Sequence, residues 1–425
     1  MKKDDVKYAS FVQILKEELV PAMGCTEPIA LAFCAAKAKE VLGAQPDRVV
    51  IGASGSIIKN VKSVIVPNTD GLKGIPAAAT AGIVAGKSEK MLEVISEVTA
   101  EEIAGMRTFM ENVPIEVHHF HNGMTFDIIV TVYNGEEYAK VRIVNYHTNI
   151  VHIEKNGEVL LSVEVEGEDE SGLTDHSLLS LEEIYDFAET VDIADIEDII
   201  SRQIEYNTAI AAEGMRGDWG SNIGKVLINT YGNDILVRAK AMAAAGSDAR
   251  MCGCEMPVVI NSGSGNQGLT TSLPVIEYAK ELNVGKEKMY RALVLANLVT
   301  IHQKTPIGRL SAFCGAVSAG AGAGAGIAYL LGGDVNAIGH TVVNAICTTG
   351  GMVCDGAKAS CASKIATAVE AGIIGYRMHL MGQDLQPDDG IVGDTAEHTI
   401  KNVGRLARQG MKETNEEIIR IMIGK

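Results

Sequence analysis

Cys314, Cys354 and Cys361 look like a cage for a metal cluster with one corner left open. Thiolates suit iron–sulfur clusters and zinc, and three of them would leave one metal position for a substrate. Cys354 and Cys361 would lie roughly 10 Å apart along a straight helix, too far for one compact centre. The chain must therefore turn between them, and Asp355-Gly356 supplies the turn. The spacing matches no common ferredoxin or zinc-finger pattern, so structural cysteines remain an open reading at this point. A fourth thiol, Cys25, lies in Met23-Gly24-Cys25-Thr26-Glu27-Pro28, just before an expected helix with Thr26 as its N-cap. Free amide donors and the helix dipole would lower its pKa there, giving a base, a nucleophile or a metal ligand. Its bland alternative is a small buried residue, the reading also given to Cys34. If the four thiols meet, a Lewis-acidic site and a reactive sulfur come together. Those parts suit removal of a leaving group from a small substrate.

The other motifs are weaker. Gly263-Ser264-Gly265-Asn266-Gln267-Gly268 is formally a dinucleotide fingerprint, but no second strand of a βαβ unit follows it. Its simplest functional reading is a loop whose amides and Asn266 hold a carboxylate. Lys59-Asn60 and His302-Gln303-Lys304 set polar groups beside apolar runs, where they could bind a carboxylate or move a proton. Cys252-Gly253-Cys254 is a nonspecific pair, and Cys347 is a spare ligand or a core residue. GIVAGKS at 82–88 is one residue short of a P-loop. His119 and His121 would share a strand face, more in keeping with half-exposed sheet residues than with zinc ligands. GAGAGAG at 320–326 permits close helix packing.

These residues need a scaffold. A chain of 425 residues with 47% hydrophobic and only 4% aromatic residues can bury a large, close-packed core of small-residue helices. A net charge of −17 disfavours nucleic acid and anionic membranes as partners. The run from Phe313 to Gly333 is too mildly apolar for a membrane span, and no secretory signal core follows the first lysines. The expectation is a cytoplasmic protein whose eight cysteines are thiols or ligands. Amphipathic or alanine-rich helices are expected over 4–20, 26–43 and 76–85, with extended chain over Ile51 to Val66. Glu89 to Met110 reads as a charged helix. Alternation from Ile115 onward, with turn signals at Asn122-Gly123, Asn134-Gly135 and Asn156-Gly157, predicts an antiparallel sheet. Leu181 to Asp198 reads as an acidic helix. The fold class is α+β. A mainly helical catalytic domain (1–87 and 199–425) carries an inserted α+β domain (88–198), and the inserted sheet suggests a homodimer.

Four stretches together resemble the L-cysteine desulfidase family, related to bacterial iron–sulfur L-serine dehydratases. They are AMGCTEP around Cys25, SGSGNQG at 262–268, HQKTPIGRLSAFCGA at 302–316 and GMVCDGAKASC at 351–361, spread over nearly the whole chain. The resemblance implies an oxygen-sensitive [4Fe–4S] cluster held by Cys314, Cys354 and Cys361, with Cys25 as a proton-handling thiol. It implies conversion of L-cysteine and water to pyruvate, ammonia and hydrogen sulfide without pyridoxal phosphate. Asn60, Asn266, Gln267 and His302 are the expected substrate-binding residues. The rival readings are an ammonia-lyase for L-serine or another β-substituted amino acid, and a non-enzymatic cluster-bearing redox or amino-acid sensor.

Overall fold

The computed structural model describes residues 1–120, 123–165 and 173–424. It is a mainly helical α+β protein. Helix α1 (Val6–Glu18) starts where the Asp5 carboxylate accepts from the Lys7 amide. A short strand, β1 (Pro21–Met23), leads into α2 (Thr26–Leu42). That alanine-rich helix is buried along most of its length and ends at Gly43, whose φ of 77° is the left-handed C-terminal conformation. The segment expected to be extended from Ile51 to Val66 divides instead. Strand β2 (Arg48–Ser54) passes directly into α3 (Gly55–Val61), followed by α4 (Gly74–Ala85). The charged stretch after it also divides, into a 3-10 turn over Ser88–Glu93 and α5 (Ala100–Asn112). A capping box between Thr99 and Glu102 fixes where α5 begins.

The main sheet contains β2, β3 (Ile115–Phe120), β4 (Asp127–Asn134), β5 (Glu137–Val144), β6 (Ile150–Lys155) and β7 (Glu158–Ser162). Its order is β3-β2-β4-β5-β6-β7. Pairing is antiparallel except for β2 with β3, which run parallel. The sheet is therefore not confined to 88–198: its second strand comes from residues 48–54. Helix α2 covers one face, where Cys34 Sγ lies 3.4 Å from the Val141 carbonyl oxygen. The turn signals at Gly135 and Asn156 hold, whereas His121 and Asn122 lie outside the described residues.

The rest is helical: α6 (Leu181–Thr190), α7 (Ile193–Arg216), α8 (Ile223–Tyr231) and α9 (Ile235–Met251), then the short strand β8 (Pro257–Val259). After it come α10 (Gly265–Glu281), α11 (Lys286–Ile307), α12 (Gly315–Leu330) and α13 (Val335–Thr349). The chain closes with α14 (Cys361–Leu380), α15 (Ala396–Arg405) and α16 (Lys412–Ile423). The glycine-alanine repeat forms α12, which is buried from Ala316 to Leu330. A Cβ on Gly320 would lie 2.3 Å from the Ala368 carbonyl oxygen of α14, so the repeat serves close helix packing. No described helix is long and apolar enough to cross a membrane.

Candidate active site and metal centre

Two small pairings gather the distant motifs. Strand β1 pairs antiparallel with β8, and the Ile260 amide donates to the Val20 carbonyl at 3.0 Å. This lays the Cys25 segment beside the 262–268 loop. An isolated bridge joins Phe313 to Val353. There the Cys314 amide donates to Met352 O at 3.0 Å and the Cys354 amide to Ala312 O at 2.6 Å. Gly356, at φ +93°, turns the chain before α14 begins at Cys361. The seven-residue spacing is thus a loop, not a helix, and the expected reversal at Asp355-Gly356 is present.

Cys25, Cys314, Cys354 and Cys361 line one cavity of about 100 Å³, with Glu27, Asn60, His147, Arg250, Asn266, Gln267, Lys304 and Lys364. Four helix starts meet there. Cys25 is the N-cap of α2, Ser264 of α10 and Cys314 of α12, while Cys361 opens α14. Their amide ends make the cavity attractive to thiolates and to a carboxylate.

The sulfurs are close enough to feel one another. Burial, then the charge of Cys354, pushes the Cys314 thiol up to about 12. Burial also raises Cys361, with Cys354 adding to it. A bound cation reverses that logic, because a coordinating thiol is deprotonated outright. The three sulfurs do not form a set within 4.8 Å of one another; among the described residues only His340, His379 and Asp384 do so. Ligands of a single tetrahedral zinc, with Zn–S near ~2.3 Å, would sit about 3.8 Å apart. The wider triad fits a polynuclear cluster better than one zinc ion. A donor set of three thiols is of the kind iron–sulfur clusters take.

The loop carrying Cys354 is braced from behind. Lys59 is buried, and its ammonium donates to the carbonyls of Ser311 and Cys354 at 3.2 Å each and to Asn415 Oδ1 at 2.7 Å. Burial lowers its pKa. Lys59 therefore positions the loop. Lys364 donates to Val353 O at 2.8 Å and pairs with Asp355, holding the same loop from the α14 side.

Cys25 departs from expectation. Thr26 is the first helical residue and Cys25 itself is the N-cap. Its pKa is raised well above the ordinary thiol value, first by complete burial and then by the Glu27 carboxylate. Its Sγ donates to Glu27 Oε2 at 3.2 Å, while Asn60 Nδ2 donates to Glu27 Oε1 at 3.2 Å. The dipole is outweighed, and the thiol is poised as a protonated donor against a carboxylate.

Arg250, 2% exposed, closes another wall. Its Nε donates to Gly24 O at 2.9 Å and one terminal nitrogen to Asn266 Oδ1 at 3.0 Å. Asn266 Nδ2 makes no hydrogen bond among the described residues and remains available. Gln267 Oε1 and His147 Nε2 are buried atoms without partners there. Orphaned buried polar atoms on a cavity wall are the mark of a site completed by a ligand.

Asn60, Asn266 and Gln267 thus come together with the four thiols. His302 does not line this cavity. Its Nε2 lies 2.8 Å from Glu397 Oε2, between α11 and α15. Cys252, Cys254 and Cys347 also lie off the cavity wall. Sequence reasoning missed the roles of Glu27, His147, Arg250 and Lys364. Glu27 had a signal: a carboxylate two residues from a cysteine in an otherwise apolar segment.

His147 packs edge-on against Phe126, with ring centroids 4.9 Å apart. Burial pushes its imidazole down to about 4. Between about pH 6.5 and 4 the unfolded chain takes up a proton that the folded one refuses. Stability should therefore fall as pH drops through that window, by up to about 3 kcal/mol. Urea midpoints at pH 7 and 4.5 should show a smaller acid loss in His147→Gln than in the parent. Equal losses would remove His147 as the cause.

A family model described as serine dehydratase alpha chain matches residues 89–420. A UPF0597 protein of Desulfitobacterium hafniense is 58% identical over 100% of this chain and 99% of its own length. One from Lachnoclostridium phytofermentans is 51% identical over 98% of this chain and 100% of its own. A third, from Fusobacterium nucleatum, is 45% identical over 98% and 99%. The relatives' names state no substrate.

Proposed function

The chain belongs to the serine dehydratase alpha chain family, and we propose that it is an iron–sulfur-dependent lyase that converts L-cysteine and water to pyruvate, ammonia and hydrogen sulfide. The observation that carries the reading is the meeting of Cys314, Cys354 and Cys361 with Cys25 on one small cavity. Its lining of thiols, side-chain amides and charged groups suits a small polar substrate.

Cys314, Cys354 and Cys361 hold the cluster, read here as [4Fe–4S]. When bound, it would supply Lewis acidity that stabilises charge on the leaving group. The protein's own residues do the rest. Arg250, the Asn266 amide and the start of α10 bind the substrate carboxylate. Gln267 Oε1 accepts from the substrate ammonium, satisfying an atom that otherwise has no donor. Cys25 takes the proton from Cα after passing its own to Glu27, which Asn60 holds in place. The Cα–H electron pair forms the Cα–Cβ double bond as the Cβ–S bond breaks and sulfide departs. The aminoacrylate released tautomerises and hydrolyses to pyruvate and ammonia.

Sulfide as leaving group rests on the likeness of the four motifs to cysteine desulfidases. L-Serine is the second reading, favoured by the description of the matching family. Protein purified without oxygen should contain iron and acid-labile sulfide and release sulfide and pyruvate one for one from L-cysteine. Faster turnover of L-serine would establish the second reading, and no elimination from either would remove both. A cytoplasmic homodimer completes the proposal. Its support is the edge strand β7, where Val159, Leu160 and Leu161 are exposed.

A further inference from the structure

We propose that His340, His379 and Asp384 form a second metal site, for a single divalent cation of the zinc class, separate from the thiol cavity. Their ligand atoms all lie within 4.8 Å of one another. None of the three lines the cavity around the cysteines.

The chain builds this cluster from three places. His340 sits on α13 and His379 in the last turn of α14, two helices packed against each other. Gly382, at φ +66°, turns the chain back so that Asp384 returns to both. The two imidazoles stack with centroids 5.1 Å apart and planes within 13°. Each presents Nδ1 to the same carboxylate oxygen: Asp384 Oδ2 is 2.9 Å from His379 and 3.4 Å from His340. Around a tetrahedral zinc with bonds of ~2.0–2.1 Å, neighbouring ligand atoms stand about 3.3 Å apart. Both measured edges are near that value. The third edge, between the two nitrogens, is within 4.8 Å, so a bound cation would turn and draw the stacked imidazoles together to close the face. Two nitrogens and one carboxylate suit zinc and its neighbours rather than magnesium or calcium, which prefer oxygen.

The second observation lies behind the carboxylate. Asn344, one helical turn beyond His340, is wholly buried. Its Nδ2 donates to Asp384 Oδ1 at 2.9 Å and to Gly375 O at 3.0 Å, and its Oδ1 accepts from the Leu385 amide at 3.0 Å. One bond of this buried amide fixes the outer oxygen of Asp384 and another the backbone just beyond it, leaving Oδ2 to face the imidazoles. This is the supporting shell a metal carboxylate has, and losing such a partner typically weakens metal binding 10- to 100-fold. All three side chains are partly exposed, so solvent reaches the cluster. His340 also lines a cavity of about 510 Å³ beside α13, α15 and the 385–397 segment. Bound there, the ion would staple the α13–α14 pair to the chain that follows.

The test uses the full-length, cluster-loaded protein without oxygen, so that Cys314, Cys354 and Cys361 are already occupied. Zinc ion is titrated calorimetrically, and zinc and iron are counted after equilibrium dialysis. The parent should take up one zinc per chain beyond the cluster metal. His379→Ala should weaken uptake at least 100-fold with iron content unchanged, and His379→Cys should restore it to within 10-fold. Should His379→Ala fail to fold, the near-isosteric Asp384→Asn takes its place, with folding followed by circular dichroism. Failure of the parent to bind zinc, or equal affinity in parent and Asp384→Asn, would overturn the site and leave an ordinary imidazole–carboxylate contact.

Discussion

Cys354→Ala should give a colourless protein with iron and sulfide near background and turnover down by about 10³-fold or more. The size follows from the role. A Lewis acid at a departing group is worth several kcal/mol, and each 1.36 kcal/mol is tenfold in rate. The loop around Cys354 is held by its main chain. The Cys354 amide is bonded to Ala312 O and its carbonyl to the buried Lys59 ammonium. These bonds belong to the backbone and survive the substitution, so the fold should persist while the sulfur is lost. Cys347→Ala is the matched control. That thiol, raised to about 11 by burial alone, lies off the cavity wall. Iron and activity should both survive its loss. Retained activity in Cys354→Ala would remove it as a ligand and with it the proposed centre.

Short-range chemistry made much of this legible in the sequence. The start of α2 shows in Thr26-Glu27-Pro28, the loop between Cys354 and Cys361 in Asp355-Gly356, and the tight α12–α14 contact in the glycine repeat. Long-range placement was harder. The β-branched run from Ile51 reads as extended throughout, yet the strand stops at Ser54 and Gly55–Val61 turns helical. Packing, not propensity, decides there, because α3 must carry Lys59 beneath the Cys354 loop. Strand β2 likewise joins a sheet whose other members lie more than sixty residues later in sequence. Nothing local announces that pairing. Buried charge was the other blind spot. Arg250 closes α9, where a basic residue is ordinary dipole compensation, so only its burial marks it as part of a site. His302 is the converse case: its sequence neighbours Gln303 and Lys304 lie on different faces of α11, and the imidazole faces Glu397. The Cys25 thiol was misjudged in direction: a lowered pKa was expected and a raised one is found. Its helix end was visible, but the depth of burial that raises its pKa was not.

Cys25→Ala separates proton transfer from metal binding. The variant should keep its iron, its sulfide and its brown colour, because Cys314, Cys354 and Cys361 are untouched. Turnover should fall by about 10²–10⁴-fold, the usual contribution of a positioned general base. The loss should appear in kcat more than in KM, since Arg250, Asn266 and Gln267 still hold the substrate. Exchange of the substrate Cα hydrogen with solvent, followed by NMR, should fall with turnover, which a merely structural cavity at position 25 would not require. Glu27→Gln should reproduce much of the effect while keeping the side-chain shape. It removes the charge that accepts the Cys25 proton at 3.2 Å but leaves an oxygen for Asn60 to bond. A colourless Cys25→Ala would instead make Cys25 a fourth cluster ligand. The open corner on which the elimination depends would then not exist.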